Sequence, residues 1–135
     1  MEIRTARLED HDQLLCLWSA AGLKPSRADT PEALARKLER DPDLFLVVEE
    51  QGRIVASIMG SYDGRRGWIN RLAVAPERRR RGVATRLLTL VEARLRARGC
   101  LKVNLLIEPD NAAVQAFYAR LGYATKPLIF MERWL

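Results

Sequence analysis

Cysteine is scarce in this chain: Cys16 and Cys100 are the only two among 135 residues. Two thiols make no disulfide framework. Cys16 falls in a helical apolar pattern and Cys100 at a predicted strand start, so both read as reduced packing residues rather than metal or redox groups, and no metal is expected. Long hydrophobic runs are missing too, since none is longer than residues 44–48, far too short to span a bilayer. No membrane partner is expected. The N-terminus, Met1-Glu2-Ile3-Arg4-Thr5, lacks the apolar core of a secretory signal, which makes a cytoplasmic location the default expectation. Histidine occurs once, as His11, in the first turn of a predicted helix, where it reads as solvated. Neither Gly-Lys-Ser/Thr nor Gly-x-Gly-x-x-Gly is present, which excludes a Walker loop and a dinucleotide-binding fingerprint. Without repeats, low-complexity tracts or long linkers, residues 1–135 read as one domain.

What the chain has in excess is arginine. Lys and Arg number 23 against 17 Asp and Glu, a formal net charge of +6. Such a balance attracts nucleic acid, anionic lipid or a polyanionic cofactor, and composition does not choose among them. Placement is more informative. Arg78, Arg79, Arg80 and Arg81 are consecutive and stand directly before a predicted helix, whereas most other arginines lie along helices with acidic neighbours.

The order of elements follows from periodicity. Ile3 and Thr5 alternate with charge as a first strand, and a helix with the stripe Leu14, Leu17, Trp18 and Ala21 ends at Gly22. After a loop over 23–29, Thr30-Pro31-Glu32 opens a second short helix with Leu34 and Leu38 inward and Asp41-Pro42 as its stop. Residues 44–49 and 53–62 form a predicted hairpin, and 68–74 a third meander strand. A helix over about 83–98, with Ala84, Leu87, Leu88, Val91 and Leu95 on one face, leads to a strand over 101–107. That strand, helix, strand order requires a parallel pair with a right-handed crossover. Asp110 or Asn111 caps a last helix carrying Val114, Phe117 and Leu121, Gly122 ends it, and a final strand is expected within 123–135.

The stretch from Trp68 to Thr85 organises the rest. It reads as strand, loop and helix start, and the first turn of a helix offers unpartnered N–H groups and the positive end of the macrodipole to an anion. Within it, Arg79-Arg80-Arg81-Gly82-Val83-Ala84 fits Gln/Arg-x-x-Gly-x-Gly/Ala and resembles the pyrophosphate-binding motif of the GCN5-related N-acetyltransferases, the GNAT superfamily. Leu72-Ala73-Val74 lies where that family has its central strand. Asn111 to Tyr123 resembles the family's second signature, Asn-x-x-Ala-x-x-Phe-Tyr-x-x-x-Gly-Phe/Tyr, with Val114 where Ala is usual. The two blocks span about half the chain.

The resemblance implies an α+β fold: a mixed, mostly antiparallel sheet with helices on both faces, and a parallel strand pair splayed by a bulge to admit the cofactor. It implies acetyl-CoA as acyl donor, with Leu72, Ala73 and Val74 along pantetheine and an N–H there polarising the thioester. Arg79, Arg80, Arg81, Gly82, Val83, Ala84 and Thr85 would hold the pyrophosphate and 3′-phosphate. Asn111, a helix cap in its own right, would bond the pantetheine arm. Tyr118, two turns further along the same side of the helix, would protonate the departing thiolate; as a residue beside an apolar stripe it also reads as packing.

A general base is absent from the predicted fourth strand. Glu108, before Pro109, either acts through a water or stands as a solvated strand-end charge. Deprotonating a lysine-like ammonium at neutral pH costs roughly 4 to 5 kcal/mol, against about 1 for an α-amine, so a low-pKa acceptor is favoured. A small amine, a peptide N-terminus and a lysine all fit as acceptor, entering near 23–29, Tyr62, Asn70 and Arg71, in a monomer or homodimer. The competing readings are a non-catalytic acyl-CoA-binding module and a small basic nucleic-acid binder. The latter lacks aromatic platforms interleaved with its basic residues.

Overall fold

The computed structural model describes residues 1–135, which separate into two compact units, Met1–Leu105 and Leu106–Leu135. The first holds a five-stranded sheet in sequence order: β1 (Glu2–Thr5), β2 (Phe45–Glu50), β3 (Arg53–Tyr62), β4 (Gly67–Val74) and β5 (Val103–Asn104). The pairs from β1 to β4 are antiparallel and β4 with β5 is parallel. Helices α1 (His11–Ala20), α2 (Pro31–Arg40) and α3 (Val83–Ala97) complete it. This is the mixed, mostly antiparallel α+β arrangement expected.

Helices cover both faces of the sheet. Between Ala56 and Met59, β3 pairs regularly with β2, so Ser57 and Gly60 project to opposite sides. The Ser57 hydroxyl meets Trp18 of α1. On the other side a Cβ at Gly60 would lie 2.7 Å from Val91 Cγ1 of α3, so α3 packs directly on backbone there and only glycine fits. With both sides covered, Phe45, Leu46, Val47 and Val48 are all buried, which is why β2 reads as an unbroken apolar run rather than an alternating one. Leu14, Leu17 and Trp18 form the α1 side of the core, and Leu87, Leu88, Val91 and Leu95 the α3 side. Each such side chain contributes about 2 kcal/mol by leaving water.

Local chemistry sets the helix ends. Thr30 Oγ1 accepts from the Ala33 N–H at 3.1 Å and Pro31 takes the first helical position of α2, as that sequence predicts. At the other end of α2, Lys37 Nζ donates to Asp41 at 2.8 Å, to Ser61 Oγ at 2.8 Å, and to the Gly60 carbonyl. Burial pushes the Lys37 ammonium down from its ordinary value despite that carboxylate.

The second unit contains α4 (Ala112–Arg120). Its cap is Asn111, whose Oδ1 accepts from the Val114 N–H at 3.3 Å; Asp110 does not cap it.

Three expectations need correction. The strand expected over 101–107 pairs with β4 only at Val103 and Asn104, because the two strands part beyond Trp68. No strand forms within 123–135: Pro127 lacks an N–H for a ladder, and Leu128, Ile129 and Met131 are exposed. Cys16 of α1 is exposed and is no packing residue, whereas Cys100 is buried. Cys16 lies four residues after Asp12 and one before Leu17, on the border of the apolar stripe rather than in it. There it borders a groove of about 450 Å³ shared with Ile54, Ala75 and Pro76.

Candidate functional site

The turn after β4 is shaped by its backbone. Val74 ends the strand, the Ala75 N–H donates to the Val55 carbonyl at 2.8 Å, and Pro76–Arg78 form one turn of 3-10 helix. Arg80 (φ 65°) and Gly82 (φ 74°) then both adopt left-handed conformation, on either side of Arg81. Left-handed residues alternating with others curl successive N–H groups toward one concavity, an anion nest. Helix α3 starts at Val83 with Gly82 as its cap, which has no side chain to satisfy the first-turn donors, and no acidic residue lies in that turn. The N–H groups of Val83, Ala84 and Thr85 thus stand at a bare helix N-terminus.

The four arginines divide. Arg78 forms a two-pronged bond with Glu50, Nε to Oε2 and Nη2 to Oε1, each 3.0 Å. That bond holds the Glu50 carboxyl below its ordinary value, so the charge of Arg78 is matched within the fold. Arg79, Arg80 and Arg81 are exposed and supply the positive field of the turn.

Upstream, β4 carries a bulge. Ser57 pairs with Ala73 and Met59 with Asn70, so Arg71 and Leu72 together oppose Ile58. Arg71 takes the left-handed conformation, φ 51°, which is uncommon for a residue other than glycine, and here its surroundings hold it there. Those surroundings are visible. Its guanidinium sits 4.9 Å above the Trp18 ring and donates to Asp29 Oδ2 at 2.5 Å and to the Lys24 carbonyl at 3.0 Å. Its own carbonyl accepts from the Ser57 hydroxyl at 2.8 Å, and Ser57 Oγ in turn accepts from the Trp18 indole N–H at 2.8 Å. His11, read as solvated, is half-buried and its Nε2 lies 2.7 Å from the Asp29 carbonyl, so that nitrogen carries the proton and donates. The 23–29 loop is therefore fastened to the bulge.

On its other side β4 loses its neighbour. The β4–β5 ladder consists of Gly67 with Val103 and Trp68 with Asn104, so from Ile69 onward that edge of β4 is unpaired. Leu72, Ala73 and Val74 occupy it, with Ala73 buried and its two neighbours half-buried. In the second unit, Asn111 and Tyr118 lie at the start and near the end of the same helical segment. The Tyr118 ring packs edge-on against Phe117 and Tyr123, each with centroids 5.2 Å away. Burial pushes its phenol pKa upward.

Sequence reasoning thus singled out a stretch of β4 and the turn that continues from it, which the fold joins through Ala75. It missed Ser57, Asp29 and the second role of Trp18. One signal was available: Ser57 is the only polar residue in the run Ile54-Val55-Ala56-Ser57-Ile58, and a buried hydroxyl requires a partner.

A bare-ended helix and an arginine turn, linked through one bulged strand to an opened parallel pair, is the architecture that the sequence resemblance implies. Residues 11–123 match the acetyltransferase (GNAT) family, and the chain belongs to that family. A Sodalis glossinidius protein named as an acetyltransferase is 43% identical over 131 residues, covering 97% of this chain and 92% of the relative. Another, from Pectobacterium atrosepticum, is 43% identical over 135 residues, covering 100% and 96%. Among solved structures, the PaiA N-acetyltransferase of Thermoplasma acidophilum, in complex with coenzyme A, shares the fold with a TM-score of 0.80 at 20% identity, covering 95% of this chain and 92% of that one. No helix of this chain is long and apolar enough to cross a membrane.

Proposed function

We propose that the chain is an N-acetyltransferase, a single working domain over 1–135, that moves an acetyl group from acetyl-CoA to an amine while both are bound. The observation that carries this reading is the continuity of the Arg80–Gly82 nest with the open edge of β4 at Leu72–Val74. A diphosphate fits the donor set at the turn: N–H groups at a bare helix end with three exposed arginines beside them. An extended amide-bearing arm fits the unpaired strand edge, where its amides replace the missing ladder. The coenzyme in the complex of the PaiA neighbour supports the same donor.

Acetyl-CoA supplies an activated acetyl thioester. Backbone groups of Leu72, Ala73 and Val74 hold its arm, N–H groups from Arg79 to Thr85 hold its diphosphate, and Asn111 bonds the arm. A neutral amine then attacks the thioester carbon. The C–N bond forms and the C–S bond breaks. The surplus amine proton passes to water, with Glu108 relaying it through that water, and the thiolate takes a proton from Tyr118, whose phenolate regains one from solvent. Since its phenol pKa is pushed upward, Tyr118 stays protonated across the neutral and mildly alkaline range. Its ionisation therefore causes no fall in turnover below about pH 10. Positioning supplies most of the rate.

A second reading, a non-catalytic acyl-CoA-binding module, is favoured by one observation: β4 presents no acidic side chain. Calorimetry with acetyl-CoA and thiol release across a panel of small amines, peptide N-termini and lysine peptides separate the two. Heat with thiol release establishes the transferase, heat without release from any acceptor leaves the module, and no heat removes both. Tyr118→Phe should lower turnover about 100-fold or more with CoA affinity unchanged; unchanged turnover at saturating substrates removes Tyr118 from the chemistry.

A further inference from the structure

We infer that Ser57, held by Trp18, is a positioning residue that aims the Leu72 N–H at the acyl carbonyl. The inference rests on the proposed use of acetyl-CoA and adds to it two side chains outside both sequence signatures.

Arg71 and Leu72 share one peptide plane, and the chain contains no cis peptide bonds. In a trans peptide the C=O of Arg71 and the N–H of Leu72 point in opposite directions. Ser57, wholly buried on β3, holds that C=O at 2.8 Å. The N–H at the other end must therefore point away from Ser57. The extra residue of a bulge is left out of the regular ladder, and here that residue is left-handed Arg71, so the orientation of its carbonyl is set by whatever grips it. Ser57 supplies that grip.

The hydroxyl itself is fixed. A serine has one O–H to donate and lone pairs to accept. Because the Trp18 indole N–H, a donor only, occupies a lone pair at 2.8 Å, the serine proton is left for Arg71. Trp18 is pinned in turn beneath the Arg71 guanidinium. The chain Trp18 to Ser57 to Arg71 carbonyl thus runs in one direction and ends on the peptide whose opposite end is the donor. A donor aimed in advance at developing negative charge needs no reorganisation during reaction, and deleting one costs about 100-fold or more in turnover. Ser57→Ala leaves the Leu72 N–H present but poorly aimed, so the expected loss is smaller, about 10-fold.

The test uses the full chain and acetyl-CoA carrying 13C at the acetyl carbonyl. Isotope-edited infrared difference spectra report the hydrogen bond to that carbonyl independently of turnover. In the wild-type protein the bound carbonyl should absorb at lower frequency than in water-free reference solvent, and in Ser57→Ala much of that shift should vanish. Turnover should fall about 10-fold while KM for acetyl-CoA and the dissociation constant of CoA stay within about twofold. Trp18→Phe, which keeps the serine hydroxyl and its proton, should lose less than Ser57→Ala. Should Ser57→Ala not fold, Ser57→Cys, with a weaker donor, serves in its place and should show a partial loss of the shift. An unchanged carbonyl frequency in the serine variant, or a fall in CoA affinity that parallels the fall in turnover, overturns the positioning role. If wild-type protein binds no acetyl-CoA, the proposed function fails first and this inference with it.

Discussion

The arginine turn and the β4 bulge are separated in sequence only by residues 73–77 and are built on opposite plans. At the turn, the groups proposed to hold the coenzyme are backbone N–H donors shaped by two left-handed residues, and the side chains of Arg79, Arg80 and Arg81 are exposed. At the bulge, a left-handed arginine is held by its side-chain partners: the Trp18 ring, Asp29, the Lys24 carbonyl and the Ser57 hydroxyl. The difference shows where each region is vulnerable. A site made of backbone tolerates exchange of side chains but not of conformation, while a site made by a buried network tolerates neither partner's loss.

The strongest way to break this comparison is Gly82→Val. At φ 74° a β-branched residue is a genuine outlier, so the turn must reshape and the nest is lost. Coenzyme A affinity should fall about 100-fold, equivalent to about 2.7 kcal/mol, measured by calorimetry. A Cβ placed on that glycine would meet no atom within 4 Å, so the damage comes from conformation rather than from a clash at Cβ. Near wild-type affinity in this variant would mean that side chains, not backbone, hold the anion.

Arg71→Ala tests the other plan. The Arg71–Asp29 pair is largely buried, with side-chain exposures of 15% and 12%. Removing the guanidinium leaves the carboxylate uncompensated, and that cost exceeds that of breaking an exposed pair. Unfolding free energy from urea titration should drop by about 2 kcal/mol, part of it from the lost contact with Trp18. Coenzyme A affinity should change less than about threefold. Loss of affinity with unchanged stability would reverse the contrast drawn between the regions.

How much of this was legible in the sequence follows from the same contrast. The turn could be read because its determinants are contiguous: a strand end, arginines, a glycine and an amphipathic helix lie within residues 72–95. The hairpin and helix ends could be read for the same reason, as with Thr30 and Pro31 at α2. The bulge network could not, because Ser57 and Arg71 are brought together by strand register, and Trp18 and Asp29 by the docking of α1 and of the loop that follows it. The extent of β5 was overestimated because apolar composition marks a segment as able to pair, while pairing ends where β4 and β5 diverge. The strand expected within 123–135 rested on no periodic pattern of its own, and none forms there.

The smallest effect expected is also the most discriminating, because it separates charge from conformation within the turn. Arg80 is exposed and left-handed at φ 65°, so Arg80→Ala removes a charge and keeps a strained backbone, whereas Arg80→Gly removes the same charge and relieves it. A non-glycine residue in this conformation costs about 1 kcal/mol, which predicts a higher melting temperature for the glycine variant by a few degrees. Both should weaken coenzyme A about two- to fivefold at low salt, and the deficit should shrink as ionic strength rises, since the contribution lost is a screened surface charge. If the alanine variant bound far more weakly than the glycine variant, the left-handed turn would be maintained by the arginine side chain, and the division between a backbone-built turn and a side-chain-built bulge would no longer hold.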